Sequence, residues 1–445
     1  MGTNDPGSYD VVGIGFGPAN LALAIALEER QDALTARFFE RKAALGWHRD
    51  MLVPSAKMQV SFLKDLVTFR NPASRFSFVS YLHAKNRLAR FANKHDFFPT
   101  RMEFHDYLEW AETQFRDRVV YSADVLGLRL PERAEPGGPV DRLRVDVRRN
   151  GPDGPVSTEY ARNVVISTGL VPRMPLAIER DRSVWHSSEF LSRFNGRDRA
   201  SLRRVAVVGA GQSAAELTRF LYDELPDSTV YALMPSYGYA IADNTPFANE
   251  VFDPAAVDDY HAGSRRAKEA TWRYHSNTNY SVVDDEVLAS LYARAYDDEV
   301  SERHRLRFLR LSRATGVKQV ADTAVVTYHS LETERSADLT VDAVVFATGY
   351  EAMSPERILG EAEPYCLRHP DGSLLVGRDY RLVTSPELRC GIYLQGGTEH
   401  THGLASSLLS NLAMRGGDIA ESLVEHSAHR SLSASPGQAV PSGRP

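Results

Sequence analysis

The sequence predicts an α/β protein with two Rossmann-like dinucleotide-binding domains and a smaller, mainly helical insertion for a substrate. Two glycine-rich turns support this fold class, because each joins an apolar strand to a helix, first within residues 9–28 and again within residues 205–222. Such turns let a dinucleotide pyrophosphate rest on a helix N-terminus. The length of 445 residues also suggests two or three domains rather than one.

The first turn follows a strand predicted at residues 9–14 and precedes a helix predicted at residues 21–28. The residues at its fingerprint positions are Gly13, Gly15, Gly17 and Pro18. Pro18 departs from the glycine of the usual pattern, so this turn by itself is weak evidence for nucleotide binding. Glu40 ends the next predicted strand, residues 36–39, where a carboxylate can bind a ribose hydroxyl.

The second turn has the G-x-G-x-x-A pattern between a strand, residues 205–208, and a helix that ends near residue 222. Its candidate binding residues are Gly209, Gly211, Gln212 and Ser213. Two such turns predict one bound dinucleotide cofactor and one dinucleotide substrate. Pro235, rather than an acid, follows the second strand of this unit, which mildly favours NADPH over NADH.

The remaining elements complete these two domains and the insertion. Predicted helices cover residues 78–86, 102–116, 267–275 and 284–296, and a last one begins at Leu404. Predicted strands cover residues 142–147, which lie in a β-excursion of residues 131–155, and residues 164–169, 323–328, 343–350 and 391–395. The predicted parts are a discontinuous first domain of residues 9–200 and 345–425, a second domain of residues 201–240 and 305–344, a helical substrate-binding insertion of residues 241–304, and a disordered tail of residues 426–445.

Net charge, apolar runs and cysteine content exclude several classes of protein. A formal net charge of -6 gives no basic footprint for nucleic acid. No apolar run approaches the ~20 residues needed to cross a bilayer, and the first residues lack the pattern of a signal peptide. The two cysteines, Cys366 and Cys390, form no C-x-x-C motif. We therefore expect a cytoplasmic protein without structural disulfides.

Seven sequence blocks follow one another between residue 9 and residue 422. They are GIGFGPAN, MQVSFLKDLVTFRNP, GAGQSAAE, DNTPFANEVFDP, NTNYSVV, FATGY and YLQGGTEHTHGLASSLLS. In these blocks the chain resembles the microbial N-hydroxylating flavin monooxygenases, and most of all the L-ornithine N-hydroxylases. The resemblance implies FAD in the first domain, NADPH in the second, O2 as oxidant and a homotetramer. It also implies that the side-chain amine of L-ornithine attacks a flavin hydroperoxide, giving N5-hydroxy-L-ornithine for siderophores or other N–O and N–N metabolites.

The same resemblance implies roles for individual residues. Substrate contacts are implied for Lys64, Asn249, Asn279 and Ser407. Cofactor contacts are implied for Trp47, His48, Gln59, Arg101, Gln212, Ser213 and Leu404. No catalytic residue is implied, because the flavin carries the chemistry and Gln59 and Asn279 only support it. Lys64 and Asn249 have the chemistry that an amino-acid head group needs, a cation for its carboxylate and an amide that donates and accepts. Pro235 stands where some relatives place an arginine for the 2′-phosphate of NADPH, so the source of that preference is open.

Several other functions share features with this sequence. An L-lysine or diamine N-hydroxylase would use the same head-group contacts. A pyridine disulfide reductase needs a redox cysteine pair, which this sequence lacks. A non-enzymatic flavin-binding protein explains the second turn less simply. The S-x-x-K motif at Ser61 lacks the companion motifs of penicillin-binding enzymes. His400 and His402 lack a third metal-ligand motif, so no metal is expected.

Overall fold

The computed structural model describes residues 8–31, 34–54, 56–132 and 138–433 as two α/β units with a helical insertion. The strands are β1 (Ser8–Ile14), β2 (Ala36–Phe39), β3 (Val119–Val120), β4 (Ala123–Arg129), β5 (Leu143–Arg149), β6 (Val156–Ile166), β7 (Leu170–Pro172), β8 (Val184–His186), β9 (Arg204–Val208), β10 (Thr229–Leu233), β11 (Leu306–Leu309), β12 (Ser312–Val320), β13 (Thr323–Ser330), β14 (Arg335–Val341), β15 (Ala343–Phe346), β16 (Tyr350–Ala352) and β17 (Gly391–Leu394). The helices are α1 (Pro18–Arg30), α2 (Phe78–Ala84), α3 (Leu88–Ala92), α4 (Arg101–Glu112), α5 (Phe190–Asn195), α6 (Gln212–Glu224), α7 (Pro246–Asn249), α8 (Pro254–Ala262), α9 (Arg265–His275), α10 (Asp285–Val300), α11 (Glu356–Leu359), α12 (Glu399–His402) and α13 (Leu412–Ser433).

The first unit is built on a sheet with the strand order β3-β2-β1-β6-β5-β4, and β17 also pairs with β6. The long strand β6 has two neighbours on the same side, since Ala161 faces Leu143 of antiparallel β5 and Ile166 faces Leu394 of parallel β17. Strand β1 lies between β2 and β6 and is parallel to both. Its apolar residues are buried because helices and loops cover both faces, as expected for parallel strands.

The second unit is built on a parallel sheet with the order β11-β10-β9-β15-β8. A separate antiparallel sheet, β12-β13-β14, packs against one face of it, where Ala324 and Val326 share a core cluster with Ala206 and Val344. The chain passes from the first unit to the second at β7 and returns at β16, and these two strands pair with each other.

The sheets shift the predicted domain boundaries. Strand β8 belongs to the second sheet, although residues up to 200 were assigned to the first domain. Strand β15 also keeps the chain in the second sheet as far as Phe346, beyond the predicted boundary at residue 344. Strand β8 has only three residues, so its sequence could not be distinguished from that of the preceding loop. The helical insertion was predicted at residues 241–304 and contains α7 to α10.

The C-terminal region also differs from the prediction. The helix predicted from Leu404 starts at Leu412, because Gly403 and Leu408 have non-helical backbone angles and only two short 3-10 turns form over residues 404–411. The tail predicted from residue 426 is helical as far as Ser433, and residues 434–445 lie outside the described residues. The helix is held by Leu423, which is buried against the first unit, and by a bond between His426 and the Arg389 carbonyl.

Two fully buried histidines make stability depend on pH. Burial lowers the pKa of His186 to about 4 and that of His402 to about 3. The unfolded chain therefore binds protons more readily, and stability falls as the pH drops from about 6.5 toward these values. We expect a loss of ~0.7 kcal/mol for each histidine between pH 7 and pH 6. Urea unfolding at both pH values checks this, and His186→Asn should shrink the loss; an unchanged loss in that variant would contradict the assignment.

Candidate active site

A cleft of about 1640 Å³ lies between the two units and the insertion. It brings together most of the residues that the sequence proposed for cofactor and substrate. The predicted residues in its lining are Trp47, His48, Gln59, Lys64, Arg101, Gly209, Gly211, Gln212, Ser213, Asn249, Asn279 and Ser407. The predicted residues outside its lining are Gly13, Gly15, Gly17, Pro18, Glu40 and Leu404. The cleft thus joins the second glycine-rich turn to the proposed substrate residues.

The first glycine-rich turn combines a packing requirement with an open space. Gly15 has φ +82°, and a Cβ there would lie 2.3 Å from the Ser167 carbonyl oxygen. The Asn20 amide fixes this turn by donating to the Gly15 carbonyl at 2.6 Å. In contrast, a Cβ on Gly17 would meet no atom within 4 Å, although Gly17 caps the 13-residue helix α1. Packing therefore requires Gly15, whereas the space beside Gly17 lies where a pyrophosphate approaches a helix N-terminus.

Glu40 stabilises the same turn from the end of β2. Its carboxylate accepts the backbone N–H of Phe16 at 2.8 Å and that of Lys42 at 2.9 Å. The sequence predicted this acid at the ribose position, and the structure places it directly behind the glycine-rich turn. Each carboxylate oxygen has a second lone pair, so binding of a ribose hydroxyl is compatible with both bonds.

The second turn repeats the geometry of the first. Gly209 has φ +146°, and a Cβ there would lie 2.3 Å from the Ala347 carbonyl oxygen. Gly211 caps the 13-residue helix α6, and the nearest atom to its Cβ position is the Ser281 Cα at 3.7 Å. The N–H groups at the start of α6 have no intrahelical partner. This turn therefore offers a second cradle for a dinucleotide pyrophosphate.

A polar network joins the three parts of the protein, and we call it the clasp. Its members are Gln59, Arg101, Gln212, Glu216 and Asp284. Arg101 binds Glu216 through two bonds of 2.7 and 2.9 Å. The Gln212 amide group donates to Glu216 at 2.8 Å and to Asp284 at 3.0 Å. Gln59 donates to Asp284 at 3.2 Å.

The hydrogen bonds of the clasp limit which atoms of Gln212 are available to a nucleotide. Both hydrogens of its amide are engaged by carboxylates, and its amide oxygen accepts the backbone N–H of Asp284 at 2.8 Å. A pyrophosphate contact of Gln212 would therefore use its backbone N–H. Glu216 and Asp284 were not among the site residues predicted from the sequence. One feature indicated a role for Glu216. It is an acid at a buried position of the Rossmann helix, and a buried carboxylate is rarely left unpaired.

The proposed substrate residues line one part of the cleft. Lys64 is partly buried, and its ammonium has no acid partner among the described residues. Asn249 donates to the Thr245 carbonyl at 3.1 Å, which leaves its amide oxygen and one hydrogen for a ligand. Asn279 lies in the same lining, on the loop before α10. Ser407 donates its hydroxyl hydrogen to the Glu399 carboxylate, so its oxygen remains an acceptor.

Aromatic groups cover the side of the cleft near the first unit. The ring of His48 lies 5.4 Å from that of Tyr350, and the Trp47 ring lies 6.0 Å from that of Phe104. Burial, with the charges of Arg101 and Lys42, lowers the pKa of His48 to about 4. The imidazole is therefore neutral near pH 7 and presents one donor and one acceptor.

The segment before α13 contains polar groups that the sequence analysis missed. The hydroxyl of Ser410 and the amide oxygen of Asn411 are buried and have no hydrogen-bond partner among the described residues. Both residues immediately precede the 22-residue helix α13, and Ser410 lines the cleft. Leu404, in contrast, is buried against Phe252 of the insertion. The block LASSLLS pointed to this segment without identifying which of its residues reach the cleft.

Both histidines that were considered as metal ligands are bonded to backbone carbonyl groups. His400 is bonded to the Leu374 carbonyl and His402 to the Arg378 carbonyl. Within the described part of the chain, no three His, Cys, Asp or Glu side chains are grouped to bind a metal. No described helix has the length and apolarity needed to cross a membrane.

Comparisons with known proteins identify the family of the chain. The model of the L-lysine 6-monooxygenase/L-ornithine 5-monooxygenase family matches residues 7–352. The L-ornithine N(5)-monooxygenase of Pseudomonas aeruginosa is 38% identical over 435 residues, which cover 94% of each chain. The ornithine N-hydroxylase of Kutzneria sp. 744, solved with reduced FAD, NADP+ and L-ornithine, is 61% identical with a TM-score of 0.90 and covers 94% of this chain and 100% of its own. The L-lysine 6-monooxygenase of Pseudomonas syringae is 31% identical with a TM-score of 0.81, covering 94% and 99%.

Proposed function

This chain belongs to the L-lysine 6-monooxygenase/L-ornithine 5-monooxygenase family, and we propose that it is an FAD- and NADPH-dependent monooxygenase that hydroxylates the side-chain amine of L-ornithine with O2. The observation that carries this proposal is one cleft that joins the second dinucleotide turn to Lys64, Asn249 and Asn279. The test is whether the purified protein is yellow, oxidises NADPH in an amine-dependent way, and forms N5-hydroxy-L-ornithine.

The residues present fit both nucleotides. The open space at Gly17 and the unpartnered polar atoms of Ser410 and Asn411 suit FAD in the first unit. The open space at Gly211, at the N-terminus of α6, suits NADPH in the second. When bound, the flavin accepts hydride from NADPH and activates O2 for transfer of one oxygen atom. The protein therefore has to bind, orient and shield the reacting groups.

The substrate contacts follow from charge and hydrogen-bonding capacity. The unpaired Lys64 ammonium attracts the carboxylate of an amino acid, and the free amide atoms of Asn249 suit its head group. The Ser407 oxygen can accept a hydrogen bond from a substrate ammonium, because its own hydrogen goes to Glu399. Asn279 is proposed to contact the substrate and the nicotinamide nucleotide. The amine must become neutral before it reacts, since only its lone pair is nucleophilic.

From the end of β10 alone, only a modest preference for NADPH over NADH is expected. No acid follows β10, so nothing there repels the extra phosphate, and Pro235 offers no cation in its place. Flavin reduction measured with each nucleotide decides this point. Faster reduction at lower concentrations of NADH than of NADPH would show that the interpretation of this strand end is wrong.

The clasp is expected to influence flavin reduction. Glu216 is buried and holds Arg101, which we propose to contact the nicotinamide nucleotide. The substitution Glu216→Gln removes the ion pair at constant size, and we expect flavin reduction by NADPH to slow by roughly tenfold, because small misplacements are costly. Rapid-mixing absorbance of the bound flavin measures the rate.

A matched control for this variant is Asp223→Asn. Asp223 of α6 forms a similar two-bond pair of 2.7 and 2.9 Å with Arg294 of α10, but it lies outside the lining of the cleft. Glu216→Gln should slow reduction more than Asp223→Asn does, at equal FAD content. Equal rates in the two variants would contradict a role of the clasp in positioning Arg101.

The cellular location and the assembly are also proposals. A cytoplasmic location is supported by Cys366 and Cys390, which are buried and form no disulfide in the described chain. The homotetramer rests on the family resemblance alone. Light scattering of the purified protein tests it, and a monomeric mass would exclude it.

A further inference from the structure

The end of strand β10 lacks the arginine that some relatives use for the 2′-phosphate of NADPH. In a dinucleotide-binding fold, this strand end faces the adenosine ribose, where an arginine accommodates the 2′-phosphate. Here the strand is followed by Met234, Pro235 and Ser236. Proline has no backbone N–H, so Pro235 supplies neither a charge nor a donor. A cation for the phosphate has to come from another segment of the chain.

The beginning of strand β12 lies beside this strand end. The backbone N–H of Leu311 donates to the Ser236 carbonyl at 3.0 Å, and that of Ser312 donates to the Met234 carbonyl at 2.8 Å. These two bonds fix the start of β12 against residues on both sides of Pro235. Arg313 is the next residue, and it lines the same cleft as Pro235 and Ser236. The fold therefore brings an arginine to the position that the local sequence leaves without one.

Arg313 is also suited to an anion by its surroundings. Its side chain is exposed, and no carboxylate pairs with it among the described residues. The neighbouring Arg310 guanidinium, in contrast, lies 4.9 Å from the centre of the Tyr237 ring and is outside the lining of the cleft. A guanidinium binds phosphate through two parallel hydrogen bonds, which adds direction to the charge.

We propose that Arg313 binds the 2′-phosphate of NADPH and thereby replaces the arginine that some relatives carry at the position of Pro235. This inference rests on the proposed function and assigns its nucleotide preference to one side chain. It also explains how an NADPH preference is maintained although the end of β10 has changed. Arg219 of α6 lines the cleft as well and is the competing source of charge.

The experiment measures nucleotide binding apart from turnover. Isothermal titration calorimetry measures the dissociation constants of 2′,5′-ADP and of 5′-AMP, which differ by the 2′-phosphate. For Arg313→Ala we expect the dissociation constant of 2′,5′-ADP to rise by about ten- to a hundredfold, because a charge-assisted bond is lost. Binding of 5′-AMP should stay within about twofold, and Arg313→Lys should retain part of the affinity. In flavin reduction, the apparent dissociation constant should rise for NADPH and not for NADH.

Two further variants make the result specific to this position. Lys318→Ala removes an exposed cation further along β12, outside the cleft, and should leave the binding of both ligands unchanged. Unchanged 2′,5′-ADP binding in Arg313→Ala, or a loss confined to Arg219→Ala, would overturn the proposal for Arg313 alone. A wild-type protein that binds 2′,5′-ADP no better than 5′-AMP would overturn the proposed use of NADPH and this inference with it.

Discussion

L-Ornithine is expected to be hydroxylated about a hundredfold more efficiently than L-lysine. If Lys64 and Asn249 hold the head group, the reacting amine must stop at a fixed distance from them. One additional methylene carries the lysine amine beyond that position, and misplacement by about 1 Å can cost on the order of a hundredfold in rate. Lysine has the same head group, so it is still expected to bind and to stimulate NADPH oxidation.

The measurement separates oxidation from hydroxylation. With each amino acid in turn, NADPH consumption, hydroxylated product and hydrogen peroxide are quantified in the same reaction. For lysine we expect most of the consumed NADPH to appear as hydrogen peroxide. Efficient formation of hydroxylysine, with little product from ornithine, would overturn the choice of substrate and leave the reaction class in place. Putrescine, which lacks the head group, tests the diamine alternative in the same assay.

Lys64→Ala is expected to raise the KM for L-ornithine by about ten- to a hundredfold, because a charge-assisted contact contributes roughly 1.5–3 kcal/mol. The Lys64 ammonium lines the cleft and has no acid partner among the described residues, so its removal leaves no buried carboxylate unpaired. FAD content, and NADPH oxidation at saturating ornithine, should therefore remain close to those of the wild-type protein. Steady-state kinetics with ornithine and the absorbance spectrum of the bound flavin measure both properties.

Lys57 provides a matched control for this substitution. It lines the same cleft, but its ammonium is paired with Glu286 at 2.7 Å and with Asp96 at 3.1 Å. Lys57→Ala therefore removes a cation that is already neutralised and should change the KM for ornithine much less. A normal KM in Lys64→Ala, or equal increases in the two variants, would rule out Lys64 as the carboxylate contact.

Local sequence was sufficient to predict the parts of the fold that depend on local geometry. Gly15 and Gly209 could be recognised because a backbone with positive φ and a carbonyl 2.3 Å from the Cβ position leave no room for a side chain. The two sheets and the helical insertion followed from the same turns and from apolar periodicity. The structure and the family comparison confirm the predicted fold class.

Contacts between distant segments could not be read from the sequence. Arg101 and Glu216 belong to different units, and nothing near either residue specifies the other. Asp284 looked like an ordinary acid at a helix start, where it suits the dipole. In the structure it also accepts bonds from Gln59 and Gln212. Arg313 was not among the predicted site residues, because its position beside Pro235 depends on backbone hydrogen bonds that form only in the folded chain.

The two neighbours of strand β6 have a consequence for synthesis of the protein. Strand β17, which completes the first sheet, follows the whole second unit in the chain, and α13 packs against α1 only after that. A chain that has left the ribosome up to Phe346 already contains every strand of the second sheet but lacks both β17 and α13. The unit that begins first is therefore completed last. During translation, residues 163–166 at the edge of β6 and the face of α1 that packs against α13 remain uncovered until the end of the chain is made.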